Sequence, residues 1–512
     1  MSPHSNPETT AHPPPFQSFC EKLPERFPST GISVLIAGGG VAGLLAALEC
    51  WRKGHNVRIV ERSPSRLLSG DGFTIGPSAL LALDKWPEMS KENERISYES
   101  WMSWHKITGE MIKHPAPFQL NPSKAHGSDT KTPTVYRHSR PKMHQMLSDQ
   151  LDRVGLAVEY GKRVLDYYED SSSGKAGILL DGGEKLEADV VVAADGVGSK
   201  SSRIVLGQEV RARPTGFSIY RAAYPLDETR TYPILDENFP LMEKNTASSQ
   251  LWMGDGVHSV FGRTTNEMSW YLTYPVNQNN PTRFCGRIYI NISLKDHGNG
   301  AESWSNLVDP DTVLQTTATI KGWPDFANRL IKETPKDRIH DYKLMWREPQ
   351  PCWASPSGRV IQIGDAAHTF FPSSGNGATQ GMEDAVSLAA CLQLGGKDNV
   401  HWATRVHNKL RVERVHCLQL LGVLNHEMRG VSADAQPSQA KPVGLLGSWI
   451  WNHNPEQYAI DNYENALACL TDARPFSNTN TPPGYVYQSW TIDSILEARK
   501  MGKEFVLEGD WE

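Results

Sequence analysis

Cysteine is scarce in this chain, and the little there is forms no pattern. Seven of the 512 residues are cysteine, at Cys20, Cys50, Cys285, Cys352, Cys391, Cys417 and Cys469. The number is odd and no CxxC pair occurs, so neither a disulfide framework nor a zinc site is implied and no metal is expected. Long apolar runs are missing as well. None approaches eighteen residues, and the N-terminus lacks the basic-then-apolar pattern of a secretory signal. These absences lead us to expect a soluble protein of the reducing cytoplasm with no integral membrane segment. Strong charge is absent too: a net charge of -6 gives no reason to expect nucleic acid. Asn291-Ile-Ser293 matches a glycosylation pattern by letters, but it sits in an apparent strand without secretory context and is read as chance. The tail beyond residue 440 is aromatic-rich (Trp449, Trp451, Tyr458, Tyr463, Trp490) and carries no repeat or low-complexity array.

What the chain does have is concentrated in residues 32–62, ISVLIAGGGVAGLLAALECWRKGHNVRIVER. An apolar run from Ile32 to Ile36 leads into Gly38-x-Gly40-x-x-Gly43, then an apolar-periodic segment to Lys53, a stop at Gly54, a second apolar run Val57–Val60, and Glu61. The pattern is strand, glycine turn, helix, strand, acid. Gly38 allows the tight turn, Gly40 lets a pyrophosphate approach the backbone, and Gly43 lets helix and strand pack closely. The helix N-terminus offers amides and a positive dipole end to phosphates. Glu61 is placed to accept hydrogen bonds from a ribose diol, with Arg62 beside it. A bound dinucleotide is expected.

The length allows about two or three domains. Residues 1–30, rich in Pro, Ser, Thr and Asn, read as a flexible arm. In SGDGFTIGPSALLAL, Gly70 and Gly72 would let backbone pass close to something flat or charged, although a plain loop explains them equally well. Residues 110–136 read as loop with a strand at Thr134–Tyr136. Arg140 opens a helix whose Met143, Met146, Leu147 and Leu151 follow helical spacing. A cation in a first turn gains nothing from the helix dipole, so an anionic partner outside the helix is expected. Strand patterns at Leu156–Tyr160, Val164–Tyr168, Gly177–Leu180 and Val190–Ala194 follow, the last ending in Asp195-Gly196 at a strand end of the kind where ligands of open α/β sheets bind, although Asp-Gly taken alone is more often just a turn.

From about 213 to 334 the texture changes to period-two segments: Phe217–Tyr224, Gln250–Met253, Ser269–Tyr274 and Arg287–Ile292. These read as an antiparallel sheet, closed by helices at about 311–321 and 325–333. Arg221 is the one basic residue in its strand; a structural ion pair and a substrate contact fit it equally on local grounds. A last apolar strand from Arg359 ends in Gly364-Asp365. Pro372, Gly375, Gly377 and Gly381 then lead into a long apolar helix, a second place where loop amides and a helix N-terminus converge. His368, beside that strand end, reads as structural. Residues 402–428 continue as a long amphipathic helix.

Three strand ends far apart in sequence, at Gly38, Asp195 and Asp365, each carry Gly or Asp where a nucleotide would lie. From residue 31 to about 460 this combination resembles the group A flavoprotein monooxygenases, the class of 4-hydroxybenzoate and salicylate hydroxylases, in its branch from fungal secondary metabolism. The resemblance implies that Gly38, Gly40, Gly43 and Glu61, with Arg62 and Gly72, contact FAD. Arg140 looks like the family arginine of the RxxL segment, and Asp195-Gly196 like the motif associated with both FAD and NAD(P)H. Gly364-Asp365 looks like the motif whose Asp holds the ribityl and phosphate region, while Pro372, Gly375, Gly377 and Ala378 would lie near the isoalloxazine. Arg221 aligns with a strand arginine that orients an acidic or phenolic substrate, the candidate catalytic residue. Many relatives carry a tyrosine where this chain has Gly262, so a tyrosine-assisted mechanism would need Tyr271 or Tyr220 instead.

The implied fold is mixed α/β. A Rossmann-like FAD-binding domain (31–110, 137–212 and 335–395) holds an inserted antiparallel-sheet substrate domain (111–136 and 213–334), followed by a C-terminal helical region (396–512). The implied reaction uses NADPH or NADH to reduce FAD, forms a flavin C(4a)-hydroperoxide with dioxygen, and passes one oxygen atom to an aromatic, polyketide-like or indole-type metabolite, hydroxylation first among the outcomes. Two other readings stay open: an FAD-dependent reductase or dehydrogenase without oxygen insertion, and a non-catalytic FAD-binding interaction protein.

Overall fold

The computed structural model describes residues 23–67, 70–118, 135–227, 229–242, 246–254, 256–276, 283–284, 287–288, 306–429, 447–501 and 508–511. Most of the expected arm, Cys20, Cys285, Thr134, the Asn291 pattern and residues 289–292 of the expected strand Arg287–Ile292 lie outside them. Residues 26–30, also assigned to the arm, are tied down. Phe27 N donates to Arg52 O at 2.8 Å and Arg26 Nε to Trp51 O at 3.0 Å, closing over the end of the first helix.

Ser33–Ala37 is the central strand of a parallel sheet that has five strands among the described residues. The order is Val360–Gln362, Val190–Ala193, Ser33–Ala37, Asn56–Val60, Val158–Glu159. The central strands are apolar along their length because both faces are covered. One face meets the helices Val41–Arg52 and Gly377–Gly395 through Val34, Ile36, Leu44, Leu48 and Leu388. The other meets a small antiparallel sheet (Val164–Asp170, Lys175–Leu180, Lys185–Ala188) through Leu35, Ile178, Leu180 and Val191. Each such apolar side chain, fully buried, contributes about 1.5–3 kcal/mol. The carboxyl ends of three adjacent strands are thereby fixed side by side, and they carry Gly38, Asp195 and Gly364.

A larger sheet, nine-stranded among the described residues, runs Ile339–Trp346, Arg213–Pro225, Glu267–Pro275, Val257–Arg263, Thr246–Gly254, Ser97–Lys106, Tyr136–Ser139, Gly72–Ile75, with Met111–Pro117 paired to Ser97–Lys106. Three features differ from the sequence expectation. Thr246–Gly254 pairs with Ser97–Lys106 in parallel, so the sheet is mixed. Met111–Pro117 is an edge strand where a loop was expected; its first five residues are exposed, which removes the alternation that would have marked it. Gly72–Ile75, Ser97–Lys106 and Ile339–Trp346 fall in stretches assigned to the FAD domain, yet they pair in this sheet. Period-two alternation reports that a strand has two unlike faces, and carries no information on which sheet it joins.

The two faces of this sheet have different roles. Tyr220, Ala222, Trp252, Phe261, Trp270 and Leu272 pack with Val313, Ala327 and Leu330 of the helices Pro310–Thr317 and Asp325–Glu333. The alternate residues, Arg221 and Tyr271 among them, face the other way. The helix Val400–Arg429 packs against Gly377–Gly395, and the segment after residue 447 covers it with Trp449, Trp451 and Trp490.

Candidate active site

The first turn is built by its glycines. Gly38 has φ +114°, and a Cβ there would run into the Ala194 carbonyl; a Cβ on Gly43 would run into the carbonyl of Gly38. Gly40 is different: nothing lies within 4 Å of an added Cβ, so the space before the helix is open. The helix behind it has no side-chain cap and no acid in its first turn, which suits an incoming anion. Glu61 has local partners, accepting from Gly39 N at 2.6 Å and Ser63 N at 2.7 Å. Arg62 is exposed beside it. His144 Nε2 hydrogen-bonds the Gly39 carbonyl at 3.0 Å from the helix that Arg140 opens.

The other two strand ends are joined by a residue that no motif marked. Arg347 donates through Nη1 to Ala366 O at 3.2 Å and through Nη2 to Val197 O, tying the Asp195-Gly196 turn to the Gly364-Asp365 turn. Gly196 has φ +80° and Gly364 φ +56°, so both turns use the left-handed region. Burial pushes the Asp195 carboxyl up, against the pull of Ser199, Tyr167 and Arg347. Asp365 lies deep in the protein mass, yet its side chain is exposed; it lines a cleft. Burial pushes its carboxyl up too, while His368, Arg140 and Arg347 draw it down. Arg140 lies within electrostatic reach of Asp365, and its backbone N donates to Asp71 O at 3.1 Å. Pro372 opens the short turn Pro372–Ser374, Gly375 follows with φ +61°, and Gly377 and Ala378 begin the helix Gly377–Gly395.

Behind these turns lies a buried network of charges. Gly364 N donates to Asp384 Oδ2 at 3.0 Å, and His368 Nε2 meets the same oxygen at 2.6 Å. His368 is therefore a support for the turn, as its place in the sequence indicated. Arg411 pairs with Asp384 at 2.9 Å and with Glu383 at 2.5 Å, and Arg414 with Glu383 at 2.9 Å. Burial raises the Asp384 carboxyl, but His368 and Arg411 outweigh it and hold the group well below the usual carboxylate range.

Above the cleft, Arg221 forms an ion pair with Asp71, whose other oxygen lies 3.6 Å from Arg140 Nε. Asp71 thus stands between two arginines, one from each half of the molecule. Burial pushes the Arg221 guanidinium down to about 10, with Tyr342 and Tyr271 opposing. Tyr271 pairs in register with Arg221 and shares its face. Tyr220 does not: it stacks on Tyr274 at 4.4 Å within the opposite core and hydrogen-bonds Thr316. Of the two tyrosines considered as substitutes, only Tyr271 lies on the cleft side.

The family described as "FAD binding domain" matches residues 31–397. FAD-dependent monooxygenase fsr3 of Gibberella fujikuroi is 39% identical over 494 residues, covering 95% of this chain and 90% of that protein. This chain belongs to the FAD-dependent monooxygenases. Among solved structures, the monooxygenase superimposes on FqzB with a TM-score of 0.73 at 25% identity, covering 90% of this chain and 99% of that one. CtdE in complex with FAD and substrate 4 gives 0.71 at 27% identity, covering 86% and 100%. The expected mixed α/β fold stands, and no described helix of the monooxygenase is long and apolar enough to cross a membrane.

The residues present fit FAD. The open space at Gly40, the uncapped helix behind it and the exposed carboxylate of Asp365 at the bottom of a cleft are what a flavin nucleotide needs. Sequence reasoning did not single out Asp71, His144, Arg347 or Asp384 of the monooxygenase. For Asp71 a signal existed, an acid between the two glycines of Gly70-Asp71-Gly72; Arg347 and His144 carry none.

Proposed function

We propose that this monooxygenase uses NADPH or NADH and dioxygen to insert one oxygen atom into an electron-rich carbon of an aromatic, polyketide-like or indole-type secondary metabolite, with hydroxylation as the outcome. Bound FAD would supply the activation of dioxygen. The chain's own residues do the rest. Gly38, Gly40, Gly43, Glu61, Arg62, Gly72 and Arg140 hold the nucleotide along the first turn and the opening loop. Asp195, Gly364, Asp365, Pro372, Gly375, Gly377 and Ala378 hold it along the other two strand ends. Arg221, kept in place by Asp71, meets the ionised oxygen of the substrate and favours its electron-rich form. The sheet above and the helices below exclude water from the cleft.

The observation that carries this reading is the Asp71–Arg221 pair: a deep cation on the cleft-facing side of the sheet, joined through one carboxylate to the loop beside the nucleotide turns. Incubation of the holoenzyme with labelled dioxygen and a panel of phenolic polyketides and indoles tests it. Label in the product is expected; NADPH consumption with unlabelled product would favour a reductase on the same fold. Asp365→Ala should yield colourless, flavin-poor protein, and a yellow, fully loaded variant would remove that residue from the cofactor set. Arg221→Ala should keep flavin but separate NADPH oxidation from product formation.

A further inference from the structure

Arg221 is not the only guanidinium on the cleft face. Arg137, on the strand Tyr136–Ser139, donates through Nη2 to Ser269 Oγ at 2.7 Å. Ser269 in turn donates to the Gly262 carbonyl at 3.2 Å, which fixes its lone pairs toward the arginine. Two glycines clear the room. An added Cβ would stand 2.8 Å from Arg137 Nη2 at Gly72, and 3.2 Å from its Cζ at Gly262. Neither glycine has a positive φ, so the backbone does not demand glycine at either place and the space for the guanidinium does. Both sit inside strands, where glycine weakens the element.

The charge of Arg137 is poorly compensated. Other deep arginines have acids or carbonyls: Arg52 meets Glu49 and Glu456, Arg411 and Arg414 meet Glu383, and Arg347 serves two carbonyls. Among the described residues Arg137 has one neutral hydroxyl and no ion pair. Glu267 and Tyr271 on the Glu267–Pro275 strand are its ionisable neighbours, with Lys142 beyond Glu267, and burial pushes the guanidinium down from its ordinary value. A deep cation left in this state is costly unless a ligand supplies the missing charge. Tyr271 pairs in register with Arg221, and Ser269, which holds Arg137, lies two residues before it on the same face of the same strand.

We propose that Arg137 is a second substrate anchor, which binds an ionised phenol or enol oxygen so that the ring is gripped at two points, Arg137 and Arg221. This rests on the monooxygenase reading above. Gly262 and Gly72 are then specificity-determining positions, since they make the room for the anchor.

Alizarin is a suitable probe, a polycyclic phenol whose ionised form absorbs at longer wavelength than oxidised flavin. Its ionisation midpoint is titrated in buffer and when bound to the holoenzyme, with flavin content measured on the same samples. Wild type should lower the midpoint. Arg137→Met should raise it by about one unit, a tenfold loss of preference for the ionised form, with flavin content unchanged. Arg137→Lys should fall between, and Gly262→Ala, which crowds the guanidinium without removing it, should raise the midpoint in the same direction. A flavin-loaded Arg137→Met with the wild-type midpoint overturns the proposal while leaving the monooxygenase reading intact. So does a flavin-loaded wild type that leaves the midpoint where it is in buffer. If Arg137→Met does not fold, unchanged midpoints in both Arg137→Lys and Gly262→Ala overturn it as well. Wild-type protein that takes up no flavin would instead bring down the reading beneath it.

Discussion

Two of the groups of deep arginines among the described residues are compensated very differently. Behind the Gly364-Asp365 turn, Arg411 and Arg414 meet Glu383 and Asp384, all four at most 1% exposed. Their remaining donors reach the carbonyls of Gln380, Trp449, Ile450 and Asn480. Facing the cleft, Arg221 pairs with Asp71, which also faces Arg140, while Arg137 meets only the Ser269 hydroxyl among the described residues. The first group is closed. Its charges answer each other, and it joins Gly377–Gly395 to the long helix and to the C-terminal segment. In the second, Arg137 has one neutral hydroxyl and no ion pair among the described residues. Full compensation marks a role in holding the fold; sparse compensation at the edge of a cleft marks a role that a ligand completes.

If that contrast is right, the largest effect on stability comes from breaking the closed group. Arg414→Met removes one member and leaves Glu383 with Arg411 as its one remaining arginine partner, breaking a buried pair, for which the expected loss is about 3–5 kcal/mol. Urea unfolding monitored by tryptophan fluorescence measures it, and a loss below about 1 kcal/mol would show that the network is dispensable. The same group should govern the acid limb of stability. The folded state holds Asp384 below its unfolded value, so the unfolded chain binds protons first as pH falls. The contribution of Asp384 is therefore fully present above the ordinary carboxylate range, about pH 4, and is lost as pH drops through that range toward the depressed folded value. Asp384→Asn should be less stable at neutral pH and lose less on acidification. Parallel pH profiles for variant and wild type would count against it.

Much of the region around the parallel sheet was legible in the sequence because its requirements are local. Gly38 and Gly43 are needed by contacts a few residues away in the turn or across one strand, and Asp195 and Gly364 announce themselves by ending apolar runs. The two helices at about 311–321 and 325–333 were legible for the same reason, since periodicity is a property of neighbours. The larger sheet was harder. Its strands come from before, between and after the expected domain boundaries, and register alone decides that Arg221 and Tyr271 face the cleft while Tyr220, one residue away, does not. Arg347 and His144 were invisible for a different reason: each acts through backbone carbonyls of loops far away in sequence, and such contacts leave no residue pattern.

Asp71 is the acid that joins Arg221 to the loop beside Arg140. Asp71→Asn keeps the size and shape but removes the charge that orients Arg221. With the buried network untouched, unfolding free energy should change by about 1–3 kcal/mol, less than for Arg414→Met. Flavin content should be preserved, and product formed per NADPH consumed should fall. A variant with wild-type coupling would place Asp71 and Arg221 among the structural pairs after all.

The smallest stability effect is expected at Gly40, and it separates the two kinds of glycine in the first turn. A Cβ at Gly43 meets the Gly38 carbonyl, so Gly43→Ala should cost about 1–3 kcal/mol through overpacking. A Cβ at Gly40 meets nothing, so Gly40→Ala should leave unfolding within about 0.5 kcal/mol of wild type. Its effect should fall on flavin affinity alone, because the methyl group occupies space that only a ligand fills. Equilibrium dialysis of the two apoproteins against FAD, beside their urea unfolding curves, distinguishes them. If Gly40→Ala binds FAD as wild type does, the open space before the helix is not where the pyrophosphate approaches. The cofactor would then have to be placed by the strand ends at Asp195 and Asp365 without it.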